Sequence, residues 1–406
     1  MISSSRLLLS IPAILIVIWG AAATAEPAYL PEPLMGAPAA KTWSMSATRR
    51  MQVPVLGLPA ITHPIDNPPT AEKIALGRKI FFDRRLSINK TMSCAMCHVP
   101  EQAFSNWEMK TSVGVEGRSV KRNAPTILNV GFYKTLFTDG RETSLETQFI
   151  SPLIARNEMA NPSAGHVVSL LNSLVDYQGL FEKAFGKPVS LDRIGMALGV
   201  YQRSLVAGNS PFDRWYYGGE KKAISDEAIR GFQLFSGQGN CTTCHIINED
   251  NTTFTDNSFH DIGYGWWREQ IRQNPPTETS VEIARGQFIQ VDNAIITSVG
   301  DPPEPDLGRY EVTEDPVDRW KFRTPSLRNV AVTMPYMHDG GLTTLRDVLD
   351  FYNAGAKPHD GLDPGLKPLG LSGRDLAAIE AFLHSLTSST ISTLIGEARY
   401  RDPDNH

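Results

Sequence analysis

Cys94-Ala95-Met96-Cys97-His98 and Cys241-Thr242-Thr243-Cys244-His245 are two C-x-x-C-H pentapeptides, and they use all 4 cysteines of the 406-residue chain. Two thiols at this spacing can add across the vinyl groups of a haem, and the adjacent imidazole can bind its iron, within one helical turn. A thioredoxin-like redox pair or half a zinc site would use the cysteines alone, and disulfides would leave both trailing histidines without a role. The pattern therefore predicts two covalently bound haem c groups, held by Cys94, Cys97 and His98 and by Cys241, Cys244 and His245.

The segments following the two motifs repeat one another. Arg122-Asn123-Ala124-Pro125-Thr126-Ile127-Leu128-Asn129-Val130 matches Arg323-Thr324-Pro325-Ser326-Leu327-Arg328-Asn329-Val330. Pro125/Pro325, Asn129/Asn329, Asp139/Asp339, Gly140/Gly340 and Leu145/Leu345 are each 200 positions apart. A helical pattern also precedes each motif, from Thr70 with Ala71, Ile74, Ile80 and Phe81, and from Ser225 with Ile229, Phe232 and Phe235. Both carry a Gly-x-x-apolar-Phe element, Gly77 to Phe81 and Gly231 to Phe235, so the chain reads as an internal duplication.

The expected fold is mainly α: two homologous cytochrome c-like haem domains with long connecting loops. They divide near Gly208-Asn209-Ser210-Pro211, giving an N-terminal domain at 70–208, a C-terminal domain at 209–395 and a tail at 396–406. Residues 26–69, rich in Pro and Ala, read as an extended arm. The segment from Asn248 to Asp306 has no counterpart in the first half, and its Pro, Gly and Asn content predicts loops around the second haem.

Residues 1–25 read as a cleaved secretory signal: Arg6 is the only early charge, Leu7 to Ile18 is apolar, and Ala23-Thr24-Ala25 is a small-residue cleavage site. The apolar stretch is short for a membrane span, so no stable membrane insertion is expected and the mature protein should be periplasmic, with an uncleaved anchor as the alternative. Removing the signal deletes one base and no acid, taking the net charge from −5 to about −6. With no basic run and no Gly-rich phosphate loop, nucleic acid is not an expected partner.

What each haem does depends on the side opposite its histidine. A strong sixth ligand makes an electron carrier, whereas an open position binds peroxide. Thr344-Leu345-Arg346-Asp347-Val348-Leu349-Asp350-Phe351-Tyr352-Asn353 reads as a helix ending in Tyr352, a candidate ligand for haem 2. The residue 200 positions earlier is Pro152, which has no ligating group, so haem 1 should be open. Near it stand Gln148 and Glu158. A carboxylate there can carry a proton between the two oxygens of hydrogen peroxide, and Gln148 can hold water or peroxide. The alternative is that Glu158 is a loop carboxylate and Gln148 a helix-surface residue.

Taken together, these motifs resemble the bacterial dihaem cytochrome c peroxidase and MauG family from Thr70 to Leu386. The carrying residues are the two C-x-x-C-H sites, Arg122 to Thr126, Asp139-Gly140-Arg141, the Gln148/Pro152/Glu158 set, Phe322 to Val330, and Pro335-Tyr336-Met337-His338-Asp339-Gly340. The resemblance implies a peroxidatic N-terminal haem, an electron-transfer C-terminal haem, and a calcium ion between them at Asn123, Thr333 and Pro335. Oxygen donors of that kind suit a hard cation, though the same residues would also make ordinary turns.

Against the family pattern, Val115 stands where many members have a distal His, and Tyr352 stands where the ordinary peroxidases have Met. Both changes resemble the MauG-like branch, in which peroxide yields a long-lived oxidised dihaem state that oxidises a partner protein. Two others cut the other way: Thr138 replaces a Trp set between the haems, and Gly239 replaces a surface Trp used in MauG. Charge would then need another route, with Trp107, Tyr133 or a haem edge as candidates.

Trp266 and Trp267, in the unmatched insert, are candidate exit points for an electron hole or simply cover a haem. Met334, Met337 and His338 read as residues of a structural turn, and His260 as an ordinary hydrogen-bonded histidine or one touching a propionate. The expected function is a periplasmic dihaem peroxidase that reduces hydrogen peroxide at haem 1. Its protein partner would be a small c-type cytochrome, a copper protein or a periplasmic protein that it modifies. The alternative is a non-catalytic dihaem electron-transfer cytochrome.

Overall fold

The structure, a computed structural model, describes residues 43–284, 287–299 and 304–400. The expected signal peptide and the start of the arm lie outside these residues. The architecture is mainly α, with two short two-stranded pairings: Phe259–His260 against Phe322–Arg323, and Glu278–Ala284 against Gln287–Asp292.

Each half is built on one crossed helix pair. In the first, Ala71–Phe82 starts at Thr70, whose hydroxyl accepts from the Lys73 amide, and packs on Leu191–Arg203. In the second, Asp226–Ser236, capped by Ser225, packs on Gly373–His384, which opens with a Ser372/Asp375 capping box. The repeated glycines explain how closely the helices approach. A Cβ on Gly77 would stand 2.0 Å from the Ala197 carbonyl oxygen, and one on Gly231 would stand 1.8 Å from that of Ala378. Both positions need the missing side chain for contact between helix backbones.

The repeated asparagines are equally interpretable. Asn129 (φ 60°) and Asn329 (φ 63°) sit in the left-handed region that Asn tolerates better than most residues. Each buries its amide against the chain leaving the helix pair. Asn129 bonds the backbone N–H and C=O of Ala207, at 2.8 and 2.9 Å. Asn329 accepts from the Ser388 amide at 2.8 Å. The pairings Leu136–Glu142 and Tyr336–Leu342 repeat in the same way.

Two large apolar cores result, and a smaller cluster is formed by Tyr264, Phe351 and Ala356. The first centres on Ile74, Phe81, Phe104, Ile194 and Tyr201, and the second on Phe212, Phe235, Phe254 and Phe382. Two segments depart from expectation. Within the arm expected to be extended, Trp43–Gln52 is a helix, and its buried Trp43, Ala47 and Met51 recur every fourth residue. The Thr390–Arg399 helix runs across the expected boundary at 395 and packs its Ile391, Leu394 and Ala398 into the first core. It is also tied to the first half through Arg399–Glu101 and Arg50–Glu397.

Within the second half, Arg328 is buried with its guanidinium 2.9 Å from both oxygens of Asp213 and 2.6 Å from the Thr252 carbonyl, and it ties the arm to this half through the Gly57 carbonyl. Between the halves other pairs serve. Arg122 pairs with Asp306 at 2.7 Å and with Asp139, while Arg309 donates to the carbonyls of Asp139 and Gly140. The insert expected as loops instead contains the Tyr264–Gln273 helix, the paired strands Glu278–Ala284 and Gln287–Asp292, and the Asn293–Val299 helix. No helix of the described residues is long and apolar enough to cross a membrane.

Candidate functional site

Both C-x-x-C-H motifs form a tight turn that presents their groups together. Cys94–Cys97 is a single helical turn closed by the His98 amide on the Cys94 carbonyl at 3.0 Å, and the His245 amide closes on Cys241 at 2.9 Å. The four thiols are free. His98 Nδ1 lies 3.0 Å from the Pro125 carbonyl, and His245 Nδ1 lies 2.8 Å from the Phe254 carbonyl. A carbonyl can only accept, so each Nδ1 carries the proton and each Nε2 keeps its lone pair for a metal. Burial lowers the pKa of both imidazoles and keeps them neutral. It also pushes Cys94 and Cys241 up to about 12. Neutral imidazole beside paired thiols is the donor set that a covalently attached haem requires, and the residues fit the group.

The turn from Pro152 to Glu158 brings a carboxyl near the first motif's cysteines. Burial raises the Glu158 pKa, with Arg141 pulling the other way, and its charge bears on both Cys94 and Cys97. The loop carrying Val115 closes on this turn: the Val115 amide donates to the Glu158 carbonyl at 2.9 Å, and Val115 is 1% exposed. Gly114 makes the approach possible, since a Cβ there would meet the Asn157 carbonyl at 2.2 Å. Gln148 closes the short Leu145–Gln148 helix, and its side-chain amide has no hydrogen-bond partner among the described residues. Pro152 lies in the next helix, Ile150–Ile154. Glu158 itself sits in a turn and is half-buried.

At the second site, Tyr352 lies near the end of the Leu345–Asn353 helix, which a Thr344/Asp347 capping box begins. Burial raises its pKa, and the nearby Cys241 and Cys244 thiols raise it further. The two sites therefore differ at the position where the repeat aligns Pro152 with Tyr352.

Other predicted residues fall as follows. The Asn123 amide N–H donates to the His338 carbonyl at 2.8 Å, and its side-chain NH₂ donates to Lys110 at 2.9 Å, leaving its oxygen as an acceptor. Asn123 is thereby joined to the turn that contains Thr333 and Pro335. His338 stacks on Phe322 at 4.0 Å and meets the edge of Tyr264. Trp107 donates to the Val332 carbonyl, Tyr133 lies under the Arg323 guanidinium, and the buried Thr138 hydroxyl has no partner. Gly239 leaves little room, since a Cβ there would meet Cys241 Sγ at 3.2 Å.

Two features were not legible in the sequence. His260 is held by Asp256 at 2.8 Å and Asp363 at 2.6 Å, and its pKa is pushed up to about 10 by Cys244 and these carboxylates. Asp363 lies 103 residues away, so spacing could not reveal the clamp. Tyr264, 1% exposed, donates to Asp339 Oδ1 at 3.0 Å. The 200-residue register at Asp139 and Asp339 marked that carboxylate without naming its partner.

Comparison with known proteins identifies the family. Residues 71–222 match the family model described as di-haem cytochrome c peroxidase. The chain is 37% identical to the methylamine utilization protein MauG of Methylorubrum extorquens, over 80% of this chain and 81% of that one. It is 35% identical to the cytochrome-c peroxidase IdrP1 of Denitromonas iodatirespirans, over 85% and 90%. The crystal structure of a MauG-like protein associated with microbial copper homeostasis aligns with a TM-score of 0.67 at 29% identity, covering 84% of this chain and 96% of that one. Paired haem-attachment turns on a duplicated helical frame, with relatives of this identity along most of their length, make the chain an oxidoreductase acting on peroxide and a member of the di-haem cytochrome c peroxidase and MauG family.

Proposed function

We propose that the protein is exported to the periplasm, reduces hydrogen peroxide beside His98, and draws the electrons from a protein partner by way of the second site. The observation that carries this reading is the asymmetry of the repeat: Pro152 stands in the first half where Tyr352 stands in the second, with the half-buried Glu158 near Cys94 and Cys97 and Tyr352 near Cys241 and Cys244. When bound, the haems supply iron that binds peroxide at one site and stores oxidising equivalents at the other.

The chain's own residues manage protons and ligands. Glu158 takes the proton from the nearer peroxide oxygen and delivers it to the farther one, which then departs as water. Its burial favours the protonated form and so makes the uptake of the proton from peroxide easier. The free amide of Gln148 orients peroxide or water. Val115 fills the loop position without offering a ligand, so the first site needs no prior activation. The Tyr352 phenolate is an anionic, hard ligand that favours the oxidised forms of its metal.

In this reading the haem-binding halves are the domains 70–208 and 209–395, with the Thr390–Arg399 helix returning to the first. Asn123, Thr333 and Pro335 hold a calcium ion at their junction. The partner is a small c-type cytochrome, a copper protein or a periplasmic protein modified by oxidation. The names of the relatives, drawn from peroxidases and from MauG, are compatible with each of these.

Electron paramagnetic resonance of the isolated ferric protein tests the asymmetry. One high-spin and one low-spin haem are expected. Two low-spin haems would refute the peroxidase reading and leave an electron-transfer cytochrome. Tyr352→Phe should remove the low-spin signal; an unchanged spectrum would mean that another residue ligates the second site.

A further inference from the structure

We propose that Tyr264 and Trp267 form the electron-entry route to the second site, with Trp267 as the contact for a protein one-electron donor. This rests on the function proposed above and supplies the route that Thr138 and Gly239 leave open. The rings are packed in sequence from the Tyr352 ligand position outward. Tyr352 meets Phe351 at 5.2 Å between centroids, Phe351 meets Tyr264 at 5.8 Å, and Tyr264 meets Trp267 at 5.6 Å, all edge-to-face. These separations are those of aromatic rings in contact. Tyr264 is buried, whereas Trp267 is half-buried, so the series runs from the site to the surface.

The chemistry of the steps differs along the series. Phe351 has no easily removed electron and serves only as a bridge. Tyr264 does, provided that its proton has somewhere to go, and its hydroxyl donates to Asp339 Oδ1 at 3.0 Å. Asp339 is kept in place by Arg268 Nε, 2.6 Å from its other oxygen. One electron leaves Tyr264 toward the oxidised second site as its proton passes to Asp339, giving a neutral tyrosyl radical. One electron from Trp267 and the returning proton restore the phenol. The indole is then refilled by the donor, which is the species finally oxidised. Two such passages deliver the two electrons that convert one hydrogen peroxide to two waters; the two protons come from solvent, because the Tyr264 proton returns to its phenol each time.

Lys357 holds its ammonium 4.7 Å from the centre of the Trp267 ring. A cation there disfavours positive charge resting on the indole, so the hole moves on to a docked donor. Trp266 is off this route: its ring stacks on His359 at 5.0 Å, nearly parallel.

The test treats the holoprotein with equimolar hydrogen peroxide and no donor, then maps oxygen incorporation by peptide mass spectrometry. With nothing to refill it, Trp267 should gain oxygen while Trp266 does not, and Tyr264→Phe should abolish the gain although the haem spectrum still responds to peroxide. Responding haems with an unmodified Trp267, or modification that survives in Tyr264→Phe, would overturn the route and leave the peroxidase reading standing. Haems that fail to respond at all would overturn both.

Discussion

Glu158→Gln separates catalysis from folding because the two should change in opposite directions. The carboxyl is half-buried in the first site, its pKa is raised chiefly by burial, and Arg141 only partly offsets this. General acid–base assistance is typically worth about 10²–10⁴ in rate, so peroxide consumption should fall by that factor, corresponding to roughly 3–5 kcal/mol of barrier. The stability effect has the opposite sign. A carboxyl whose folded pKa lies above its unfolded one binds protons more tightly when folded, so ionising it costs stability as pH rises. Glutamine keeps the shape and removes that cost, so the variant should unfold at the same temperature as the parent or higher at neutral pH. Stopped-flow absorbance after mixing with peroxide reads the rate, and thermal unfolding reads the stability. A rate loss under tenfold would refute the proton-transfer role. A rate loss accompanied by a lower unfolding temperature would instead make Glu158 a structural group.

Other consequences follow from the frame. Asp213→Asn leaves the buried Arg328 guanidinium without its counter-charge and should cost about 3–5 kcal/mol, seen as a thermal midpoint lower by several degrees. Gly231→Ala drives a methyl group to 1.8 Å from the Ala378 carbonyl and should destabilise by about 1–3 kcal/mol or more, as helices forced apart do. Gly165→Ala, whose nearest neighbour would be Ser163 Oγ at 3.8 Å, should be neutral or slightly stabilising in the same unfolding assay. Acid should weaken the fold through Glu146 and Asp306. Burial pushes both carboxyls up, but Arg203, Asn67 and Ser144 on the first and Arg122 on the second outweigh it and hold each at about 2. Their stabilisation is present above the unfolded values near about 4 and lost as pH falls toward 2. An unfolding midpoint that stays flat from pH 5 to pH 2, in units of roughly one, would contradict this.

The helix pairs and haem turns were legible because their signals are local. Capping at Thr70, Ser225 and Thr344, apolar spacing and the C-x-x-C-H turns each fall within about a dozen residues. The Trp43–Gln52 helix was hidden because its apolar residues are sparse and are followed by proline-rich chain, so its stability comes from the first core. The return of Thr390–Arg399 to that core and the His260 clamp depend on contacts between segments far apart in sequence, and no periodicity encodes those. The alignment of Tyr352 with Pro152 was legible only because the chain carries its own comparison.

That internal comparison also indicates what duplication retains and what it frees. The pairs Gly77/Gly231 and Asn129/Asn329 serve close helix approach and left-handed turns, where few other residues fit. These positions fix the frame and hold each histidine against a backbone carbonyl, the arrangement both sites need. The opposite face carries no such constraint. There the first half has Pro152 with Glu158 facing its haem-attachment cysteines, and the second has Tyr352 with Phe351, Tyr264 and Trp267 behind it. The side chains behind Tyr352 lead toward the surface, while the turn after Pro152 brings in the half-buried carboxyl to which we assign proton transfer. A reaction that must accept protons and oxygen at one centre and electrons at another would require that division, and two centres with the same distal residues would not provide it.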